Sequence, residues 1–241
     1  MKYKKTTGYF IVSVAILATM FMAPGILQAQ QKNTRPFTDT FFFDDCDGFS
    51  TTGSNRYFIL EPGFQLVLEG KRGIHTDQSI LTVLNETKTI DGVETRILEN
   101  KETRDGALTE VSMNYFAICN KTNSVFYFGE DVDEYENGVI VGHAGSWQAG
   151  KNGGKAGLEM PGIILLGARF YMEVVPGVAE DKTEIVSMTE TVQTPAGTFE
   201  NCLKTKESSD LEKGVFDKYY APGIGLIKDL NLELIDYGYT Q

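Results

Sequence analysis

The sequence predicts an all-β protein, either an antiparallel barrel or a curved sheet or sandwich of many short strands, with little helix. Apolar residues do not recur at the three- and four-residue spacing of an amphipathic helix over any long window. Short β-rich runs recur instead. Several are separated by turn pairs that tolerate positive φ, namely Asp91-Gly92, Asp105-Gly106 and Asn137-Gly138. Many short strands with close turns are typical of barrels and sandwiches.

The predicted strands cover most of the chain after its first quarter. In order, they are 57–60, 64–68, 79–90, 93–98, 108–119, 125–128, 139–143, 168–175, 183–192, 198–205, 215–220 and 225–230. The clearest alternation sets Ser112 and Asn114 against an apolar face. That face consists of Val111, Met113, Tyr115, Ala117 and Cys119. We expect the sheet to curl around an apolar interior and to leave the acidic residues scattered in water.

The N-terminus has the pattern of a secretory signal peptide over residues 1–29. Three lysines precede an apolar run at 10–23, and Ala29 supplies the small residue of a cleavage site. The run is shorter than the roughly 18–20 apolar residues of a membrane span, so we expect cleavage, with an uncleaved anchor as the alternative. The prediction is an exported protein, periplasmic or extracellular, with no membrane span after the signal is removed.

The mature chain is predicted to contain a loose N-terminal arm at 30–50 and a single β-rich domain at 51–241. Within the arm, Phe41, Phe42 and Phe43 are expected to be buried. Three cysteines follow the signal, Cys46, Cys119 and Cys202. In an oxidising compartment one disulfide can form and one thiol is left over, but the three pairings stay open. A buried, unpaired thiol is the alternative for each cysteine.

The mature protein is strongly acidic. The formal charge moves from −11 to −14 on cleavage, because the signal carries three lysines and no acids. Such a surface repels nucleic-acid phosphates and anionic lipid headgroups. We therefore expect no nucleic-acid partner.

The stretch GEDVDEYENG at 129–138 concentrates five carboxylates and ends in a hairpin turn. Strand alternation divides its acids, with Asp131 and Asp133 on one face and Glu130, Glu134 and Glu136 on the other. A calcium site needs about six to eight oxygens that converge on one point, so a solvated hairpin edge is favoured. Asp131 and Asp133 remain candidate metal ligands, and calcium is the only cofactor under consideration.

Candidate catalytic and ligand-binding residues are few. His143 is a candidate general base, expected to point toward Glu130 and Glu134. The sequence contains no nucleophile elbow, zincin motif or phosphate-binding loop. Aromatic residues at strand and loop positions are the candidate ligand contacts, and they are Trp147, Tyr115, Phe128 and Tyr171. A structural packing role is the alternative for Trp147.

Six segments carry a resemblance that spans nearly all of the mature chain. They are YFILEPG at 57–63, YFGED at 127–131, GSWQAG to GLEMP at 145–161, PGVAED at 176–181, FENCL at 199–203 and YYAPGIGL at 219–226. The sequence thereby resembles a family of secreted bacterial β-rich proteins of uncharacterised function. It departs from the family at Ile59, where proline is usual, and at 66–68, where a more aromatic run is usual. The resemblance implies secretion and a β-rich domain, and it implies no reaction.

Three functional hypotheses follow from these observations. The first is a non-catalytic protein that binds an apolar or amphipathic small molecule inside the sheet. The second is a structural or interaction protein of the cell envelope. The third is a hydrolase or metal-dependent protein that uses the hairpin at 130–143. The thin catalytic equipment favours the first over the third, while ligand identity and oligomeric state stay open.

Overall fold

The structure, a computed structural model, describes residues 36–240, so the predicted signal peptide at 1–29 lies outside the described residues. A single short 3-10 helix, Phe43–Cys46, precedes the strands of this part of the chain. The first nine strands are β1 Phe49–Ser50, β2 Ser54–Asn55, β3 Phe58–Ile59, β4 Phe64–Arg72, β5 His75–Ile90, β6 Val93–Arg104, β7 Ala107–Cys119, β8 Val125–Glu136 and β9 Val139–Gly142. The other nine are β10 Trp147–Gln148, β11 Lys155–Met160, β12 Arg169–Tyr171, β13 Glu173–Val174, β14 Asp181–Thr194, β15 Gly197–Ser209, β16 Phe216–Ala221, β17 Gly225–Asp229 and β18 Leu232–Tyr239. The all-β prediction is confirmed.

One antiparallel sheet of these strands curls into a nearly closed barrel. Its order is β12-β14-β15-β16-β17-β18-β4-β5-β6-β7-β8-β11-β13. The first and last strands of this order, β12 and β13, follow each other directly in the chain. Because β12 pairs with β14 and β13 pairs with β11, the two edges of the sheet lie side by side. Gly157 lies in that seam, where a Cβ would overlap the backbone carbonyl of Met172. Glycine therefore allows the two edges to approach each other.

The predicted hairpin turns set the register of the longest strands. Asp91, Asp105 and Asn137 have φ of 48°, 50° and 53°, and the glycine after each also has positive φ. Both central residues therefore adopt the conformation that a tight hairpin turn requires. The strands run much further than the sequence pattern indicated, and the whole acidic stretch up to Glu136 is part of β8.

In β7 the face that carries Ser112 and Asn114 points into the barrel, and the apolar face points outward. Ser112, Asn114 and Phe116 line the interior of the barrel, together with Glu110. The expectation of an apolar interior with acids scattered in water is therefore wrong. The outward face of β7 is apolar, and the N-terminal arm covers it. Alternation in such a strand does not show which face is inside.

The arm packs against the outer face of β7 and β8. Phe43 lies 5.1 Å from Phe126 and 5.7 Å from Phe128 between ring centroids. Phe41 is partly buried against the same core, whereas Phe42 is 76 % exposed. The expected burial of the three phenylalanines thus holds for two of them.

A disulfide between Cys46 and Cys119 ties the arm to β7, and Cys202 is a buried free thiol. After the arm the chain continues to β3, where Phe58 and Ile59 line one end of the interior. The hydroxyl of Tyr57 donates a hydrogen bond to the carbonyl of Asn201 at 3.1 Å and anchors this segment to β15. The arm therefore covers the outer face, and the segment that follows it lines one end of the interior.

No helix among residues 36–240 combines the length and the apolar character needed to cross a membrane.

We predict that Cys119→Ser lowers the free energy of unfolding by about 2–4 kcal/mol, because the disulfide closes a long loop and restricts the unfolded chain. Urea denaturation with and without dithiothreitol measures this. The stability of Cys119→Ser should not respond to the reductant. Cys202→Ser is the matched control and should remain as sensitive to the reductant as the wild type. Equal sensitivity in both variants would contradict the assigned pairing.

Candidate functional site

The interior of the barrel contains a partly open cavity of about 420 Å³. This volume lies within the range of roughly 300–1,000 Å³ that is usual for small-molecule sites. Inward side chains of most barrel strands line it, and β3, which follows the arm, contributes Phe58 and Ile59. The wall is not uniform, because apolar and acidic side chains are segregated along the strands.

The register of β5, β6 and β7 produces this segregation. Three rows of facing residues cross these strands on the cavity side. They are Val83–Leu98–Asn114, Leu81–Asn100–Ser112 and Ser79–Glu102–Glu110. Each row is more polar than the one before it as the strands approach the β6–β7 turn. One end of the cavity is therefore apolar and the other is polar.

The apolar end is formed by large side chains from several strands. Phe64 and Leu66 of β4, Val83 of β5 and Phe116 of β7 are all less than one-tenth exposed. Phe116 stacks on Tyr127 with ring centroids 4.6 Å apart. Such a surface gains free energy by covering apolar parts of a ligand, at about 25 cal/mol per Å².

The polar middle of the cavity is a hydrogen-bonded network. Ser79 Oγ donates to Asn100 Oδ1 at 2.7 Å, and Asn100 Nδ2 donates to Glu102 Oε1 at 3.1 Å. On the adjacent strands, the Tyr127 hydroxyl donates to Asn114 Oδ1 at 2.5 Å. These bonds fix the orientation of the amides, so the middle of the wall is rigid.

Glu130 and Glu173 form an acidic subsite beside this network, with Asp181 as the third carboxyl group. Burial raises the pKa of Glu130 to about 7. The Tyr127 hydroxyl opposes this rise, and the carboxylates of Glu110 and Asp181 increase it. Burial also raises the pKa of Glu173 well above its usual range, and Glu130 adds to the effect. Water exclusion and mutual repulsion both disfavour the ionised forms.

A second group of carboxyls lies around Lys218, whose side chain is partly buried. Its Nζ lies 2.8 Å from Glu207 Oε2 and 3.5 Å from Asp229 Oδ2. Burial alone would lower the pKa of Lys218, but the two carboxylates outweigh burial and raise it well above its usual range. Tyr220 donates its hydroxyl to Glu207 at 3.2 Å. This lysine is therefore already neutralised by its own neighbours.

Glu159 lies between the two groups on the cavity wall. Burial raises its pKa to about 7, Glu207 adds to the rise and Lys218 opposes it. Near the rim, burial also raises the pKa of Glu110, with further contributions from Glu102 and Glu134. The acidic side of the cavity thus extends from its centre to the β6–β7 turn.

The aromatic residues proposed as ligand contacts lie outside the main cavity. Tyr115 is on the outer face, where its hydroxyl donates to Asp131 at 2.6 Å, and Phe128 is covered by the arm. Tyr171 donates its hydroxyl to Asp210 at 2.6 Å. Trp147 is buried behind Tyr127, and its indole N–H donates to Glu173 Oε1 at 3.4 Å. Of the four, Trp147 is thus linked to the acidic subsite, through its hydrogen bond to Glu173.

A second pocket of about 230 Å³ lies on the outside of the barrel. Trp147 and Asp131 both line it, with Gln148 between them. Asp131 accepts hydrogen bonds from Lys88 Nζ at 2.6 Å and from Gln148 Nε2 at 2.8 Å. Burial alone would raise the pKa of Asp131, but the hydrogen bonds outweigh burial and lower the pKa below its usual value.

The hairpin residues proposed for catalysis and metal binding face outward. His143 Nδ1 lies 2.9 Å from Asp133 Oδ1 and 2.9 Å from the carbonyl of Val132. His143 pairs with Asp133 and not with Glu130 or Glu134 as expected, and a register shift next to Glu134 leaves it beyond the end of β9. Within residues 36–240, no group of three or more acidic, histidine or cysteine side chains is placed to hold a metal ion.

Sequence reasoning missed Glu159, Glu173 and Lys218 as residues of the cavity. Each lies in a short strand at the seam or in a strand with a mixed pattern, where alternation is too brief to assign a face. One signal was present in β7, where Ser112 and Asn114 alternate strictly with apolar residues. A polar face on a strand buried on both sides indicates a polar interior.

Comparison with known proteins finds partial likeness only. No protein-family model matches the sequence. No curated protein matches it either. Among solved structures, a Bacteroides fragilis protein described as exported and of YmcC-like fold covers 77 % of this chain and 100 % of its own, at 16 % identity and a TM-score of 0.38. A Parabacteroides distasonis protein described as a lipoprotein has the same coverages, 14 % identity and a TM-score of 0.36. Scores this low assign no property to the present chain.

We predict that Glu159→Gln stabilises the protein at about pH 8 by up to about 3 kcal/mol. The carboxyl has a pKa of about 7 in the folded state and a lower one in the unfolded chain. Its contribution to stability is therefore full at low pH and is lost as pH rises toward 7. Chemical denaturation at about pH 5 and about pH 8 measures the difference.

The gain from Glu159→Gln should shrink markedly at about pH 5, where the folded-state carboxyl is already neutral. The matched control is Glu200→Gln, which removes one exposed carboxylate from β15. This control should change stability by less than about 0.5 kcal/mol at either pH. A pH-independent effect of Glu159→Gln would contradict the raised pKa.

Proposed function

We propose that this protein is a non-catalytic binding protein that holds one small amphipathic molecule inside its barrel. The observation that carries the proposal is the cavity of about 420 Å³ with its apolar and polar ends. A wall divided in this way suits a molecule that is itself divided into an apolar body and a polar group.

The shape of the apolar end supports a bound molecule rather than a collapsed core. Leu81 and Leu226 are only partly buried although they lie inside the barrel, because they face the cavity. Protein interiors are usually packed without voids larger than a water molecule. An apolar space maintained inside a barrel is therefore a place for an apolar ligand group.

The positions of the histidines favour binding over histidine-based catalysis. His75 Nδ1 lies 2.5 Å from Asp105 near the β4–β5 turn, and His143 pairs with Asp133 on the outer hairpin. Neither histidine belongs to the cavity wall. A histidine acting on the bound molecule would have to be within hydrogen-bond reach of it.

Export is part of the proposal. It rests on the signal-peptide pattern of residues 1–29. The Cys46–Cys119 disulfide supports it, because such bonds persist in oxidising compartments and are rare in the cytosol. We therefore expect the ligand to be met in the periplasm or outside the cell.

The test uses N-phenyl-1-naphthylamine, a neutral apolar dye whose fluorescence rises in apolar sites. We predict saturable binding to the wild type, and about tenfold weaker binding to Leu81→Trp, whose larger side chain would fill the apolar end. Ile80→Trp is the matched control, because Ile80 precedes Leu81 in β5 and points to the outer face. It should bind the dye like the wild type.

Two results would overturn the proposal. One is the absence of dye binding by the folded wild-type protein. The other is an equal loss in Leu81→Trp and Ile80→Trp, which would place the dye elsewhere. Circular dichroism of both variants establishes that they are folded before the comparison is made.

A further inference from the structure

We propose, building on the binding function above, that the bound molecule is an amphipathic cation. Its ammonium group would lie at Glu130, Glu173 and Asp181, and its apolar body would extend toward Val83, Leu98 and Phe116. The polar group of the ligand in the binding function above would thus carry a positive charge and lie at the acidic subsite.

The charges of the cavity wall are unbalanced. Carboxyl groups line it at seven positions, which are Glu102, Glu110, Glu130, Glu159, Glu173, Asp181 and Asp229. Lys218 is the only basic residue of the wall among residues 36–240, and it is engaged by Glu207 and Asp229. The acidic subsite therefore has no cation of its own in the described part of the chain. A ligand cation would supply the missing charge.

An unpartnered oxygen in this subsite points to a ligand independently of the charge count. Glu173 is only 8 % exposed and lines the cavity. Its Oε1 accepts the bond from Trp147, while its Oε2 has no hydrogen-bond donor among the described residues. Because Glu173 faces the cavity, an ammonium group there would bring three donors within reach of this oxygen.

Thr183 provides a second unpartnered group nearby. Its side chain is on the same inward face of β14 as Asp181, two residues away. The residue is 2 % exposed, and its hydroxyl has no hydrogen-bond partner in the described structure. A buried hydroxyl without a partner, two residues from Asp181, is unusual in a folded protein.

The two ends of the proposed ligand would fall on adjacent parts of the wall. Glu130 lies opposite Asn114 in the sheet, and Asn114 lies opposite Leu98. The cationic group and the start of the apolar body are thus one strand spacing or two apart, which is about 5–10 Å. An anionic head at the same place would meet carboxylates, and a neutral head would leave them without a counter-charge.

The experiment compares three probes with the same chain: dodecylamine, dodecanol and dodecanoate. Each displaces N-phenyl-1-naphthylamine from the full-length mature protein at about pH 8, below micelle-forming concentrations. At this pH the amine is cationic and the acid is anionic. We expect dodecylamine to bind about tenfold or more tightly than dodecanol, because charge-assisted hydrogen bonds strengthen its binding. Dodecanoate should bind weakest.

Variants locate the cationic group. Glu173→Gln and Glu130→Gln should each weaken dodecylamine about tenfold and leave dodecanol unchanged. Glu200→Gln, which removes the same charge from the outer surface, is the matched control and should leave all three probes unchanged. Both cavity variants are nearly isosteric with the wild type, and each removes a carboxyl group from a buried acidic site.

The outcomes separate this inference from the binding function. If the dye and dodecanol bind but dodecylamine has no advantage, the cationic ligand is excluded and the binding function stands. The same conclusion follows if neither cavity variant weakens dodecylamine relative to Glu200→Gln. If neither the dye nor any of the three probes binds, the binding function itself fails.

Discussion

The burial of carboxyl groups inside a barrel is the constraint on which the rest of this structure depends. Removing an ionised carboxylate from water costs several kcal/mol unless a counter-charge or hydrogen bonds replace the water. The fold meets that cost in two ways. Lys218 neutralises Glu207 and Asp229, whereas Glu130 and Glu173 have raised pKa values and no basic neighbour in the described chain. The second group is therefore where the structure is open to a ligand.

The arm makes a polar interior compatible with a stable fold. A barrel that lines its cavity with acids has less apolar surface inside to drive folding. Here the outer face of β7 and β8 supplies a second apolar core, in which Phe43 and Phe49 of the arm pack against Phe126. The Cys46–Cys119 disulfide holds this layer in place. Stability and binding thus depend on opposite faces of the same strands.

The sequence was sufficient for the fold class and the main hairpins, but not for the site. Turn chemistry is local, so Asn137-Gly138 predicted both its turn and the pairing of Glu136 with Val139. Which face of β7 is inside depends on the distant arm, so the alternation around Ser112 could not decide it. Glu173 reaches the cavity through the pairing of β13 with β11 at the barrel seam, and β13 has only two residues, too few for alternation to assign a face.

The most direct test of this account is a carbon-13 NMR titration of the glutamate side-chain carboxyls in the folded protein. Buried, uncompensated carboxyls should appear as a small set of resonances that titrate near pH 7, apart from a main group near the ordinary glutamate value of about 4.3. Substitution of Glu130 or Glu159 by glutamine should each remove one resonance of that set. Titration of every glutamate in the ordinary range would contradict the account, because it would show that the interior carboxyls are in contact with bulk water.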